Sequence, residues 1–592
     1  MIIRFAQDDS TFRAFPLLAQ PESGYDSRMQ IPGVSGAFVA PSPGAWEIED
    51  THMSRPVSRW SGALFPERAT AGMRDGMKRY GVLLDYIEFA VVNGFTYMCA
   101  RGVGAPKGAK APPPKFIFKI LTKVHPEVRR RIRRSAEVFE TKFWREDVKR
   151  WDEEVKPALI RKYRGLQSVD PRSLSTGDLI RHLDTCAEAV SEAFYIHHSF
   201  NPTAMLPLGD FLSHATTWTG LPPSRLLPLL RGASPISLGS SPEMGRLMQA
   251  IAGRDDIKLL LASSDPCAAL EAITSRKDEI GARAREYVAC AGIRVSPGYD
   301  VSDSSLSEMP ETLVGTITAA LAGSGRSAAD TFENDLATVR ALVPETHRGQ
   351  FDELLGEARF TYRMRDERGY LNDSWAAGLA RRALLAAGER LAAEARLDSP
   401  LHAVDFTPRE IADALAGRAA PSREEIAAYA NYRATKSTDD APRFLNHPPS
   451  GPPPAEWLPP AAERTQRAID VCLAEMFAKR DDAAPEKTIV GFPASPGSVT
   501  GIARLVRESG DMIRVKDGDI LVTRSTGPSY NELLPLLRGV ITDRGGTLSH
   551  AALVAREYGI PAVVGCGNAT ALIPDGAKIR IDGTDGRIEI LS

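Results

Sequence analysis

The chain has 592 residues, 43% of them hydrophobic and 25% charged, with a formal net charge of −2. That length fits roughly two to four domains of ordinary globular composition, and the near balance of charge excludes a broad basic field for nucleic acid or an anionic membrane. Cysteines 99, 186, 267, 290, 472 and 566 are scattered without a CxxC pair, which argues against zinc and disulfide frameworks and fits a reducing cytoplasm.

Taken in chain order, the N-terminus MIIRFAQDDSTFRAF lacks an apolar h-region. No apolar run reaches about 18 residues, so neither a signal peptide nor a membrane span is expected. Residues 1–115 are mixed, rich in Pro, Gly and aromatics, with strand-like pieces such as FTYMCAR and a loop GVGAPKGAKAPPP. Residues 116–436 read as one large helical domain. PEVRRRIRRSAEVFETKFWREDVKRWDEEVKPALIRKYRGL carries Pro near its first turn and apolar residues at three/four spacing. STGDLIRHLDTCAEAVSEAFYIHHSF adds a Ser/Thr cap and an acidic first turn. Residues 437–487 read as a proline-rich linker, a helix and a polar hinge, the hinge falling at 479–487. Residues 488–592 change character. Short β-rich runs, DILVTR and GVITD, precede a hairpin, AKIRIDGTDGRIEIL, giving a compact α/β unit.

Inside that unit lies TDRGGTLSHAALVAREYGIPAVVG. A strand runs into Gly545 and Gly546, and a helix begins at or next to His550 and stops at Gly559. Unpaired N–H groups at a helix start attract anions and disfavour imidazolium, so the ring stays neutral and nucleophilic. The glycines allow close backbone approach to a phosphate, and Thr547 and Ser549 offer hydroxyl donors. Arg556 is a charge partner or a surface arginine. The plain alternative is a helix-cap histidine with structural hydrogen bonds. No second His, Cys or carboxylate stands at ligand spacing, so no metal is expected here.

GGTLSHAALVAREYGIPAVVG resembles the phosphohistidine signature of the swivelling domain in phosphoenolpyruvate-utilising enzymes. The flanks GFPASPGSVTGIARLV and GDILVTRSTGPSYNELLPLLRGVITDRGG resemble that domain too, so the likeness covers 488–592. It implies a β/β/α swivelling fold in which His550 is phosphorylated and Gly545, Gly546, Thr547, Ser549 and Arg556 hold the phosphoryl group. The pieces WEIEDTHMSRPVSRW, VVNGFTYM and YRMRDERGYLND resemble, more weakly, a helical acceptor-binding domain. No counterpart of an ATP-grasp domain is read in residues 1–480, and no C-terminal barrel is read after Ser592. The layout is therefore similar to the phosphohistidine subunit of phenylphosphate synthase, or to a rifampin phosphotransferase without its ATP-grasp domain.

That resemblance implies an ATP-dependent phosphotransferase subunit in the cytoplasm. A separate ATP-grasp subunit, using ATP and Mg²⁺, would charge His550 with the β-phosphate. The acceptor would be a hydroxyl of a small, phenol-like molecule, with no nucleic acid or membrane partner. A phosphoryl carrier or regulator without a small-molecule acceptor is the alternative. The resemblance points to Arg365 and Asp366 as the transfer-site pair, with Arg363 and Arg368 nearby; a solvated charged helix face is the plain alternative. His197 or His198 would face the acceptor as a base, with a satisfied structural histidine as the plain alternative, and His52 and Arg55 belong to a loop that resembles the family's entry segment. Phe194, Tyr195, Trp218 and Tyr362 are candidate pocket walls or plain core. The basic run at 129–134 reads as an exposed helix face or a docking surface.

Overall fold

The computed structural model describes residues 37–591 apart from 235–240, 263–264, 297–299, 322–328, 479–488, 508, 528–529 and 532. The expected hinge at 479–487 and the segment 1–36 lie outside the described residues. What is described is a helical body carrying a small sheet, followed by a β-rich C-terminal domain.

The small sheet has the order β2-β3-β1-β4, with β1 at Trp46–Ile48, β2 at Leu84–Val92, β3 at Phe95–Gly102 and β4 at Phe444–Leu445. β2 and β3 form a hairpin through Asn93 and Gly94, with φ of 48° and 80°. Positive φ at both central residues is the turn whose twist matches paired strands, and Asn-Gly is its preferred sequence. β4 comes from the proline-rich stretch read as linker. It adds two register pairs to β1, Trp46 with Leu445 and Glu47 with Phe444, and ties that stretch to the sheet.

A 22-residue helix, Arg59–Tyr80, occupies the segment read as mixed. Pro66 and three glycines dilute its apolar pattern, which is why periodicity passed it over. Those glycines are packing devices. A Cβ on Gly72 would meet the Tyr195 carbonyl oxygen at 2.3 Å, and one on Gly76 the Ser199 carbonyl oxygen at 2.6 Å. Their absence lets this helix lie directly on Thr176–Ser199, whose start is capped by Ser175 accepting from the Asp178 N–H. The close approach fixes the last turn of the second helix, where His197 and His198 sit. Similarly, Gly209 of Asn201–Thr219 faces the Ala468 backbone of the linker helix Pro460–Met476.

The long helical run expected from residue 125 onward is interrupted. Pro126–Thr141 ends at Lys142 with φ 51°, and a wider turn spans Trp151–Val155. Within its basic face Arg131 is buried, paired to Glu127 and Asp85, and Arg134 pairs with Glu137. That part of the run is a structural network rather than free docking charge.

The C-terminal sheet has the order β5-β12-β11-β7-β8-β9-β10-β6. Its strands are β5 Ile489–Val490, β6 Phe492–Ser495, β7 Ser498–Val506, β8 Asp519–Thr523, β9 Leu537–Thr542, β10 Ala562–Val564, β11 Lys578–Asp582 and β12 Arg587–Leu591. β7 to β10 pair in parallel, and antiparallel strands flank them. The domain has its own core, including Ile520, Val522, Ile541, Val563, Ile579 and Ile581. A second apolar cluster runs from Met73 and Met77 through Met205 and Cys472 to Leu548, Ala551 and Leu553. The C-terminal domain is therefore seated on the helical body. At about 1.5–3 kcal/mol per buried large aliphatic side chain, a few such contacts hold a domain while leaving release within reach.

Candidate functional site

The connection from β9 to β10 passes through the Gly545–Gly546 turn and the helix His550–Tyr558. Open α/β sheets place ligands at the carboxyl ends of their parallel strands, which is where this turn lies. Gly545 has φ 93°, and a Cβ there would meet the Ser549 side chain at 2.7 Å. Ser549 caps the helix by accepting from the Ala552 N–H, and Gly559 closes it with φ 63°. His550 is the first helical residue.

The ring of His550 makes one side-chain contact, Nδ1 to Thr526 Oγ1 at 3.0 Å. Its Nε2 is buried without a hydrogen-bond partner. Burial, and then the charges of Arg365 and His52, push its pKa down to about 3. At neutral pH the ring is an uncharged imidazole. With Nδ1–H given to Thr526, the Nε2 lone pair is left for chemistry.

His550 lines a cavity of about 460 Å³ between the two domains. Much of its wall is apolar, built by Met73, Met77, Ile87, Phe89, Met98 and Met205 from the helices and the small sheet. Phe194 joins that wall, whereas Tyr195, Trp218 and Tyr362 do not line it. Tyr195 instead donates to Asp75 at 2.8 Å, and Trp218 stacks on His347.

Polar groups share that wall, and His198 meets Phe89 edge-on with 5.3 Å between ring centroids. Arg365 donates from Nη2 to the Leu548 carbonyl at 2.7 Å, while Nη1 is buried without a partner. Its charge therefore stands beside His550 with donor capacity to spare. Asp366 is also in the wall and accepts from Ser234 at 2.7 Å. His197 Nδ1 lies 2.5 Å from the Asp373 carboxylate, which fixes the ring so that Nε2 is the edge left for other contacts. His198 donates Nδ1–H to the Phe194 carbonyl at 2.7 Å. Burial, then His197, Arg368 and His52, hold its pKa well below the ordinary histidine range. Arg368 donates to the His197 carbonyl and to Asn201 Oδ1 at 3.0 Å, stiffening the histidine pair.

The structure thus brings Gly545, Ser549, His550, Arg365, Asp366, Arg368, His197, His198 and His52 to one cavity. It puts the other candidates elsewhere, each for a visible reason. Gly546 donates to the Met476 carbonyl at 3.1 Å, and Thr547 donates its hydroxyl to Glu475, so both face the end of the linker helix. Arg556 is buried and donates to the Ala494 carbonyl at 2.8 Å, beneath its own helix. Arg363 is held by Asp152 and Glu367, and Arg55 by Asp303 at 2.6 Å. Sequence reasoning did not single out Thr526, Glu49 or Asp373. Asp373 closes the stretch YRMRDERGYLND, and Thr526 lies in RSTGPSY, but neither position differs in type from an ordinary capping or turn residue. Among the described residues no group of three or more His, Cys, Asp or Glu side chains stands close enough to hold a metal ion. No described helix is long and apolar enough to cross a membrane.

Comparison with known proteins gives a consistent result for the C-terminal domain. The family model described as "PEP-utilising enzyme, mobile domain" matches residues 515–586. The chain is 50% identical over 107 residues to the rifampicin phosphotransferase of Bacillus cereus, covering 18% of this chain and 12% of that protein. It is 38% identical over 139 residues to the uncharacterized phosphotransferase YvkC of Bacillus subtilis, covering 24% and 16%. It is 41% identical over 118 residues to the phosphoenolpyruvate synthase of Aeropyrum pernix, covering 19% and 14%. Each match covers a small fraction of the relative's own length.

Proposed function

We propose that this chain, whose C-terminal unit is the mobile domain of phosphoenolpyruvate-utilising enzymes, is the phosphohistidine-bearing part of an ATP-dependent phosphotransferase. His550 takes the β-phosphate of ATP from a separate ATP-grasp partner, where Mg²⁺ is also held. It then passes the group to the hydroxyl of a small, phenol-like molecule in the cavity. The observation that carries this reading is the partnerless Nε2 of a neutral His550, set in the wall of an apolar cavity beside Arg365.

The cavity suits the second half of the reaction. An apolar acceptor enters the Met- and Phe-lined part with its hydroxyl toward His550. The P–Nε2 bond breaks, its electron pair returns to the imidazole, and a P–O bond forms. The hydroxyl proton goes to His197, which Asp373 orients. Arg365 Nη1 offsets the charge on the phosphoryl oxygens, and a docked domain keeps water from competing. Reacting atoms about 3–3.5 Å apart are required for in-line attack, which explains seating the whole C-terminal domain on the cavity. A carrier with no small-molecule acceptor would need no such cavity, so the carrier reading is the weaker one.

The test follows label from β-³²P-ATP and γ-³²P-ATP into the chain, alone and with a candidate ATP-grasp partner. Acid-labile label from the β position, absent in His550→Ala and discharged by phenol, is the expected result. Label that forms but no hydroxyl compound removes would favour the carrier; no label under any pairing sinks the phosphotransferase.

A further inference from the structure

The loop after β1 carries a second cation toward His550. Glu49 is 7% exposed, and its carboxylate accepts the backbone N–H groups of His52 and Met53 at 3.1 Å. It also lies 2.9 Å from His52 Nδ1. The loop is thus wrapped around one buried carboxylate, and the imidazole is fixed to it. The ring also meets Phe477 edge-on, 6.4 Å between centroids, at the end of the linker helix. Glu49 and His52 line the same cavity as His550 and Arg365.

We propose that His52, held by Glu49, forms with Arg365 a two-cation clamp for the phosphoryl group on His550. The inference rests on the phosphohistidine reading above. A buried carboxylate needs a nearby positive charge, and protonated His52 supplies it. Around His52 stand Glu49 from its own loop, Arg365 from Met364–Arg368, His198 from Thr176–Ser199 and His550 from the C-terminal domain. Burial works against its charge and Arg365 adds to that, but the charge and hydrogen bond of Glu49 prevail and its pKa is raised. Arg365 and His52 thus line the cavity that holds His550, and a phosphoryl group on that ring would meet both. His52 and Arg365 both act on His550, which places both within electrostatic reach of the reacting nitrogen. With its Nδ1 engaged by Glu49, His52 is assigned to charge, and the proton-accepting part is left to His197.

The sign of the pH dependence separates a clamp from a base. A raised pKa means the positive charge is present below it and is lost as pH rises through it. Phosphoramidate, a small anionic donor, serves as the probe. Nε2 of His550 attacks its phosphorus, the P–N bond to the already protonated amine breaks, and ammonia leaves. Loading of His550 is followed by mass spectrometry in the full-length chain, with His550→Ala as blank. The ratio of wild type to His52→Gln cancels the donor's own titration.

A ratio of about tenfold near neutral pH, falling toward one as pH rises, is expected for one lost cation at a phosphoryl site. His52→Lys should restore loading, and Glu49→Gln should move the fall to lower pH. A ratio that stays near one, or that grows with pH as a base would give, overturns the clamp. Equal loss in His52→Gln and His52→Lys at every pH marks a purely structural residue and also overturns it. Failure of wild-type His550 to load sinks the phosphohistidine reading itself, whereas normal loading with a flat ratio sinks the clamp alone.

Discussion

The two walls of the cavity are built in opposite ways. The turn, the cap and the helix start of the His550 wall all lie between Gly545 and His550, joined by Thr526 from the segment after β8. The facing wall is assembled from the β1 loop, the hairpin β2–β3, the end of Thr176–Ser199 and the helix around Arg365. A donor that must meet more than one station needs a self-contained site. An acceptor pocket needs shape, and shape comes from distant segments. The family model of the mobile domain matches residues 515–586, which include the first wall. On the proposed function the difference separates two roles: the chemistry belongs to the small domain, and the choice of acceptor to the large one.

Four experiments would break or sharpen this contrast. The largest effect belongs to His550→Ala, which should abolish phosphoryl loading while leaving the melting temperature near that of wild type; residual acid-labile label would show another nucleophile. Next, Arg365→Met should slow phosphoryl transfer by about 10²-fold through loss of charge offset, measured as single-turnover discharge to phenol. A normal rate would leave Arg365 as a docking residue bonded only to the Leu548 carbonyl. Third, Met98→Trp fills the apolar part of the cavity. It should raise the acceptor KM by about tenfold or more with loading of His550 unchanged, since roughly 1–3 kcal/mol rides on such pocket changes. Equal damage to both steps would undo the division between the walls.

The smallest effect concerns the seam between the domains. Glu557 is 2% exposed and accepts the Gly232 N–H at 2.7 Å. Burial, outweighing that hydrogen bond, and the neighbouring Asp366 push its pKa up to about 7. A raised acid contributes fully below its ordinary carboxylate range, and the contribution fades as pH rises toward 7. Glu557→Gln should therefore raise Tm by a few degrees at pH 8 and leave it unchanged near pH 4. Identical shifts at both pH values would assign the effect to packing instead of ionisation.

The contrast also explains what the sequence disclosed. The helix start at His550 was legible because glycine, hydroxyl cap and apolar period all lie within one short window. Arg365, His197 and His198 were legible as residue types on helices, but their convergence depends on Gly72 and Gly76 letting two helices touch. No local pattern announces that contact. The helix Arg59–Tyr80 escaped notice for the same reason, since the residues that make it pack closely weaken its helical signal. Arg363, Arg55 and Arg556 looked equally available in sequence. Only tertiary partners, Asp152 and Glu367, Asp303 and the Ala494 carbonyl, show them to be engaged elsewhere.

Gly546 and Thr547 deserve a second meaning beyond phosphate contact. A Cβ at 546 would stand 2.1 Å from the Glu475 carbonyl oxygen, so the seated position tolerates only glycine there. Thr547 holds the same helix end through the Glu475 carboxylate. The signature therefore doubles as a parking bracket, recognising the end of the tether that carries it. Selection on such a pair would act on dwell time at one berth as much as on chemistry. A mutant such as Gly546→Ala would be a commuter with an intact cargo hold and nowhere to stop.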